Sequence, residues 1–145
     1  MDVFQPAKAP AGTTSLEDQL IQVTASYVSF VNAREWADAE DLQKHYHPAY
    51  RSECRFSTNL HTFLESINVM RELAETFPNF KVNVVEASAN VDRSRMRALA
   101  FFHTNWTDAP PGLVTQVVHV VDWRFVDGQW LTFRSDILRG VDESV

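Results

Sequence analysis

The order of patterns along this chain predicts an α+β fold, with three N-terminal helices packed on one face of a curved, mostly antiparallel sheet. Helical periodicities occupy the first half of the chain, and alternating apolar runs fill the second. Within Leu113–Leu138, two runs rich in Val, Trp, Phe and Leu flank Asp127-Gly128, the strongest short-range signal for a tight hairpin. A hairpin with one apolar face is marginal alone, so the helices upstream are its natural cover.

From Ser15, a Ser-x-x-Asp start precedes apolar residues at helical spacing, Leu20, Val23, Tyr27, Phe30 and Val31, which gives a first helix. Glu35–Tyr46 reads as a shorter second helix, stopped at His47-Pro48 because the residue before proline avoids the α region. Tyr50–Phe56 alternates as a half-buried strand, with Tyr50, Ser52 and Cys54 inward and Arg51, Glu53 and Arg55 wet. Asn59 is the expected cap of a third helix whose stripe is Leu60, Phe63, Leu64, Ile67, Met70 and Ala74, with Pro78 past its end. Asp38 and Asp41 read as solvated, with Asp38 able to close over a site on that side.

Strands follow at Phe80–Ala87 and Met96–Trp106. In the latter, the charge-free set Met96, Ala98, Ala100, Phe102, Thr104 and Trp106 is assigned inward. The opposite set keeps Leu99 and Phe101, apolar surface that suggests a subunit contact. In the first hairpin strand, Thr115, Val117, His119, Val121, Trp123 and Phe125 share one face, which makes His119 an ionisable group among apolar neighbours.

At 145 residues and 16.6 kDa the chain suits one domain, expected over residues 15–145 behind a loose arm at 1–14. Composition with 45% hydrophobic and 12% aromatic residues supplies a core with room for a pocket. A net charge of −6 and pI near 5.3, without a Lys/Arg run, argue against nucleic acid. Cys54 is the single cysteine, which leaves no intrachain disulfide or cysteine metal cluster, and four glycines give no phosphate-binding loop. No signal-peptide pattern or apolar run of membrane length is visible, so a soluble, cytoplasmic protein without a membrane partner, metal or other cofactor is expected.

The segments NAREW (Asn32–Trp36), YHPAY (Tyr46–Tyr50) and VDWRFVDGQW (Val121–Trp130) resemble the SnoaL-like branch of the nuclear-transport-factor-two-like superfamily, over about residues 16–138. That superfamily includes polyketide cyclases, steroid isomerases, scytalone dehydratase, epoxide hydrolases and non-catalytic binding or assembly domains. The resemblance implies a cone-shaped pocket that admits a small apolar molecule, and a homodimer formed through the sheet. It does not imply one reaction. Cys54 falls where steroid isomerases place their proton-abstracting aspartate and scytalone dehydratase a tyrosine. Val121 falls where the isomerases hold an oxyanion-stabilising acid, and Trp106 at the place of a dehydratase histidine. Tyr27 lies near the isomerase helix-one tyrosine donor. The position of His119 carries a pocket-lining asparagine in the dehydratase and often a carboxylate in SnoaL-like cyclases.

His119, Tyr27 and Tyr50 are therefore the candidate catalytic residues. Histidine, with an ordinary pKa of about 6.5, needs little tuning to act near neutrality, and tyrosine hydroxyls can steady an oxyanion. The plainer alternatives are a hydrogen-bonded core histidine and ordinary core tyrosines. The expected substrate wall comprises Cys54, Met70, Phe102 and Trp106, with Val117, Val121, Trp123 and Phe133 from the hairpin. Cys54 also reads as a small buried hydrophobe. His61 and Glu65, four apart, are either a base–orienter pair or a solvated helical pair. Together these readings point to a cofactor-independent isomerase, cyclase or dehydratase of secondary metabolism, acting by proton transfer on a hydrophobic polycyclic or polyketide-like molecule. The alternative is a non-catalytic ligand-binding or dimerisation module.

Overall fold

The computed structural model describes residues 15–54 and 59–138; the arm expected at 1–14 and the end of the strand expected through Phe56 lie outside them. Helix α1 (Leu16–Ala33) is capped by Ser15, whose Oγ accepts the Asp18 N–H at 3.1 Å, and ends at Arg34 in the left-handed conformation. A 3-10 turn (Trp36–Asp38) leads into α2 (Ala39–Gln43), and β1 (Tyr46–Glu53), β2 (Leu60–His61) and α3 (Phe63–Thr76) follow. Four long strands complete the chain: β3 (Lys81–Asp92), β4 (Arg97–Thr107), β5 (Val114–Val126) and β6 (Gln129–Leu138). They form one six-stranded sheet in the order β2-β1-β6-β5-β4-β3, antiparallel except where β1 runs parallel to β6. The helices pack on one face of this curved sheet, the α+β architecture expected. Among the described residues no helix is long and apolar enough to cross a membrane.

Three local expectations change. The expected second helix splits at Asp38 (φ −98°, ψ 16°) into the 3-10 turn and α2, and Tyr46 opens β1 instead of ending the helix. Pro48 lies inside β1, at the stretch where β2 does not reach and the register to β6 shifts; a proline without an N–H is tolerated at such an edge. The third helix starts at Thr62, not Asn59. Thr62 Oγ1 accepts the Glu65 N–H at 3.2 Å and Glu65 Oε1 accepts the Thr62 N–H at 2.8 Å, a reciprocal capping box. Leu60 is left exposed in β2 and outside the apolar stripe.

NAREW works as a clamp between α1 and β3. Asn32 Nδ2 donates to the Val82 carbonyl at 2.8 Å while its Oδ1 accepts the Val82 N–H at 2.9 Å, and Arg34 Nη2 donates to the Phe80 carbonyl at 2.6 Å. VDWRF is likewise structural: Asp122 pairs Arg97 and Arg124 at 3.2 and 3.4 Å on the outer face, while Trp123 is fully buried on the inner one. The hairpin turns at Asp127 and Gly128, both at positive φ (50° and 86°), the conformation an Asp-Gly turn supplies.

One irregularity shapes the site. Asp122 pairs Arg134 but Trp123 pairs Thr132, so Phe133 is bulged out of the β5–β6 ladder. A strand has a side-chain period of two, so the extra residue inverts which side chains face inward beyond it. Thr132 and Trp130 thereby take the inner face, buried, while Phe133 packs against the His47 ring (5.1 Å) and under the Arg124 guanidinium (3.9 Å).

Candidate functional site

Between α1, α3 and the inner face of the sheet lies a chamber of about 100 Å³. Its walls include His119, Tyr27, Tyr50, Cys54, Met70, Phe102, Trp106 and Val121, which brings most of the sequence-selected residues together. The charge-free face of β4 is the inner one from Ala98 to Trp106, with Phe102, Thr104 and Trp106 at the chamber, whereas Met96, also assigned inward, precedes the strand at positive φ (53°) and is exposed. Three expected wall residues lie elsewhere. Val117 and Trp123 are buried in the packing behind the wall, Trp123 in a second cluster with Leu20, Val23 and Ala100. Phe133 is displaced to the outer side by the bulge, and Thr132 lines the chamber instead.

The polar part of the chamber is organised by Phe63, the first residue of α3. Rings of Tyr27, Tyr46 and Tyr50 stand 6.5, 4.4 and 6.4 Å from its ring, and Tyr46 meets Tyr50 edge-on at 4.9 Å. The capping box thus fixes the residue on which three phenols rest. Burial raises all three phenol pKa values, Tyr50 to about 12; at Tyr27 and Tyr46 repulsion from neighbouring phenolate forms adds to the rise, whereas at Tyr50 hydrogen bonding with Ser52 and Ser135 opposes it. Each phenol is held in its donor form. Burial likewise pushes the Cys54 thiol up, with a smaller opposing influence from Ser52, so this side chain is not an activated nucleophile.

His119 projects from β5 with its ring stacked on Trp106, centroids 6.1 Å apart and planes 20° off parallel. It is half-buried and lines the chamber. Burial pulls its pKa from 6.5 to about 4. The expectation of an imidazole tuned near neutrality is therefore corrected: this one is neutral at pH 7. Among the described residues neither ring nitrogen has a hydrogen-bonding partner, which leaves one donor and one acceptor facing the space.

Sequence reasoning missed Glu53, Tyr46 and Thr132. Glu53, read as a wet residue, lines the chamber and its Oε1 accepts the Ile137 N–H at 2.7 Å. Among the described residues it is the sole carboxylate on the walls, and no described Lys or Arg lines them. Glu65 instead caps α3, and neither it nor His61 reaches the chamber. Among the described residues no group of three or more His, Cys, Asp or Glu side chains is arranged to hold a metal ion.

No family model matches the sequence, and no curated protein matches it either. Solved structures do resemble the fold. A cystatin-like protein from Caulobacter vibrioides is 12% identical, with 88% of this chain and 92% of that one covered and a TM-score of 0.69. A candidate dehydratase of the NTF2-like family from Streptomyces avermitilis is 12% identical over 83% and 92% of the two chains, with a TM-score of 0.62. A Xanthomonas campestris protein described as a candidate calcium/calmodulin-dependent protein kinase II association domain is 14% identical over 97% and 99%, with a TM-score of 0.60. At these identities the likeness establishes a cystatin-like, NTF2-like fold.

Proposed function

We propose that this protein is a cofactor-independent enzyme of the SnoaL-like type, an isomerase, cyclase or dehydratase that moves a proton on a hydrophobic carbonyl compound. The observation that carries the reading is a neutral, unpartnered imidazole sharing a chamber with phenols held in their donor form. In the reaction the free nitrogen of His119 accepts a proton from the carbon beside a carbonyl. The electron pair moves onto oxygen, and Tyr27 or Tyr50 donates a hydrogen bond to the resulting enolate. Returning the proton to another carbon isomerises the substrate; passing it instead to a departing β-hydroxyl, which leaves as water while the enolate collapses to the enone, dehydrates it. A base of pKa near 4 is weak, yet an enzymic carboxylate of about 4.6 performs such abstractions when the oxyanion is well held. Fixed, preorganised donors favour that oxyanion more than water does. The proposed substrate is a polycyclic, polyketide-like molecule of secondary metabolism, of which the chamber, about 100 Å³, takes up a part.

The test is exchange of the acidic C–H protons of 2-cyclohexen-1-one with D2O, followed by proton NMR. The wild type is expected to accelerate exchange over buffer, and His119→Gln to lose at least about 100-fold of that acceleration, the scale of one positioned base. Equal acceleration by the variant would remove His119 from the chemistry.

The second reading is a non-catalytic ligand-binding or dimerisation module. The outer face of the sheet favours it: Leu99 and Phe101 are 42% and 39% exposed, beside half-buried Val118 and Val120 and exposed Leu138. The Xanthomonas neighbour's description as an association domain agrees with that reading. A homodimer through this face is compatible with either role.

A further inference from the structure

Trp106 and His119 stack although the strand register does not bring them together. Across the β4–β5 ladder Trp106 faces Thr115 and His119 faces Phe102, so the two residues stand four positions apart along the strands, roughly 13 Å at the usual rise. Diagonal neighbours two positions apart meet readily; four positions is beyond that reach. Their rings nevertheless lie 6.1 Å apart and within 20° of parallel, an offset stack of the kind aromatic planes favour. The indole therefore leans back along β4, over Thr104, to reach the imidazole.

Thr104 and Phe80 hold the indole in that pose. Trp106 Nε1 donates to Thr104 Oγ1 at 3.1 Å, and Thr104 Oγ1 donates to the Val117 carbonyl at 2.9 Å. The single hydroxyl proton is committed to Val117, so toward the indole the oxygen acts as an acceptor, and an indole N–H can only donate. The bond thus fixes which edge of the indole turns to Thr104, a residue only 1% exposed. Phe80, fully buried, packs against the same indole at 5.6 Å, and its carbonyl is tied to Arg34.

We infer that Thr104 is a positioning residue for His119: its hydroxyl holds the Trp106 indole in the leaning pose, and the indole sets the plane of the imidazole at the chamber. The inference rests on His119 being the proton-moving group, as proposed above, and adds how that ring is aimed. A catalytic base is ordinarily oriented by a third group, for histidine commonly a hydrogen bond to its second nitrogen. Among the described residues His119 has no such bond. A contact on the ring face takes over that task, because it restricts rotation of the imidazole while it leaves both nitrogens open to substrate.

Exchange of 2-cyclohexen-1-one by the full chain tests this in Thr104→Val, close in shape but without the hydroxyl, and in Thr104→Ser, which keeps it. Thr104→Val is expected to lower kcat about tenfold with KM within about twofold, because the chamber keeps its walls while the base loses its aim. Thr104→Ser should stay within about threefold of the wild type. Lost packing alone predicts the reverse order, since serine gives up a methyl that valine keeps. Trp106→Phe removes the other half of the bond and should lower kcat by the same factor, so the test stands even if Thr104→Val does not fold. Proton NMR gives a readout independent of turnover: the Trp106 ring current should displace the His119 ring-proton resonances in the wild type and in Thr104→Ser, and in Thr104→Val these should move to where they lie in Trp106→Leu. The inference is overturned if Thr104→Val exchanges at the wild-type kcat, if Thr104→Ser loses as much as Thr104→Val, if the loss falls on KM, or if the His119 resonances do not move. A wild type that does not accelerate exchange defeats the enzymatic reading, and the resonances then decide on their own whether Thr104 positions His119.

Discussion

Acidification should destabilise this protein through His119, by an amount that follows from its burial. Its folded-state pKa of about 4 lies below the ordinary 6.5, so as pH falls the unfolded chain takes up the proton first. The stability this group contributes is complete above pH 6.5 and is lost as pH drops from 6.5 toward 4. At 1.36 kcal/mol per pKa unit the whole loss is about 3 kcal/mol, of which about 2 kcal/mol falls between pH 7 and 4.5. Urea denaturation of the wild type and His119→Gln at several pH values isolates the effect, because the carboxylates titrate in both proteins and cancel in the difference. The variant should gain on the wild type by about 2 kcal/mol over that interval. A pH-independent offset, or a His119 C2–H NMR resonance titrating near 6.5, would refute the burial argument.

Two further outcomes follow from other parts of the molecule. Thr62→Ala removes half of the capping box and should cost about 1 kcal/mol of stability; near-UV circular dichroism should change with it, since Phe63 supports Tyr27, Tyr46 and Tyr50. Native mass spectrometry at micromolar concentration should show a dimer that Phe101→Lys converts to monomer, and a wild type that is already monomeric would remove the sheet-face interface.

The parts of the fold legible in the sequence are those with an unambiguous period. β4 alternates strictly, so Ala98 through Trp106 could be assigned inward, and Asp127-Gly128 marks the turn because both residues accept positive φ. The bulge was not legible. In Trp130-Leu131-Thr132-Phe133 an inward Phe133 satisfies the apolar rule as well as an inward Thr132, and only the pairing of Trp123 with Thr132 decides between them. Asn59 and Thr62 are both competent caps; the signal that distinguishes them, Glu65 three residues after Thr62, stands in the sequence. The YHPAY segment hid Tyr46 because a proline that ends a helix is also allowed in an unpaired stretch of strand. His119 could be selected from its apolar neighbours, but its pKa depends on enclosure by several elements, which no local pattern encodes.

The central claim is that a neutral, buried His119 is the proton-moving group, and the pH dependence of cyclohexenone exchange tests it most directly. The rate should be level from pH 5 to 8, fall below a midpoint of about 4 as the imidazole protonates, and be lost in His119→Gln at every pH. A rate that rises through pH 6.5, or that persists in the variant, would contradict it.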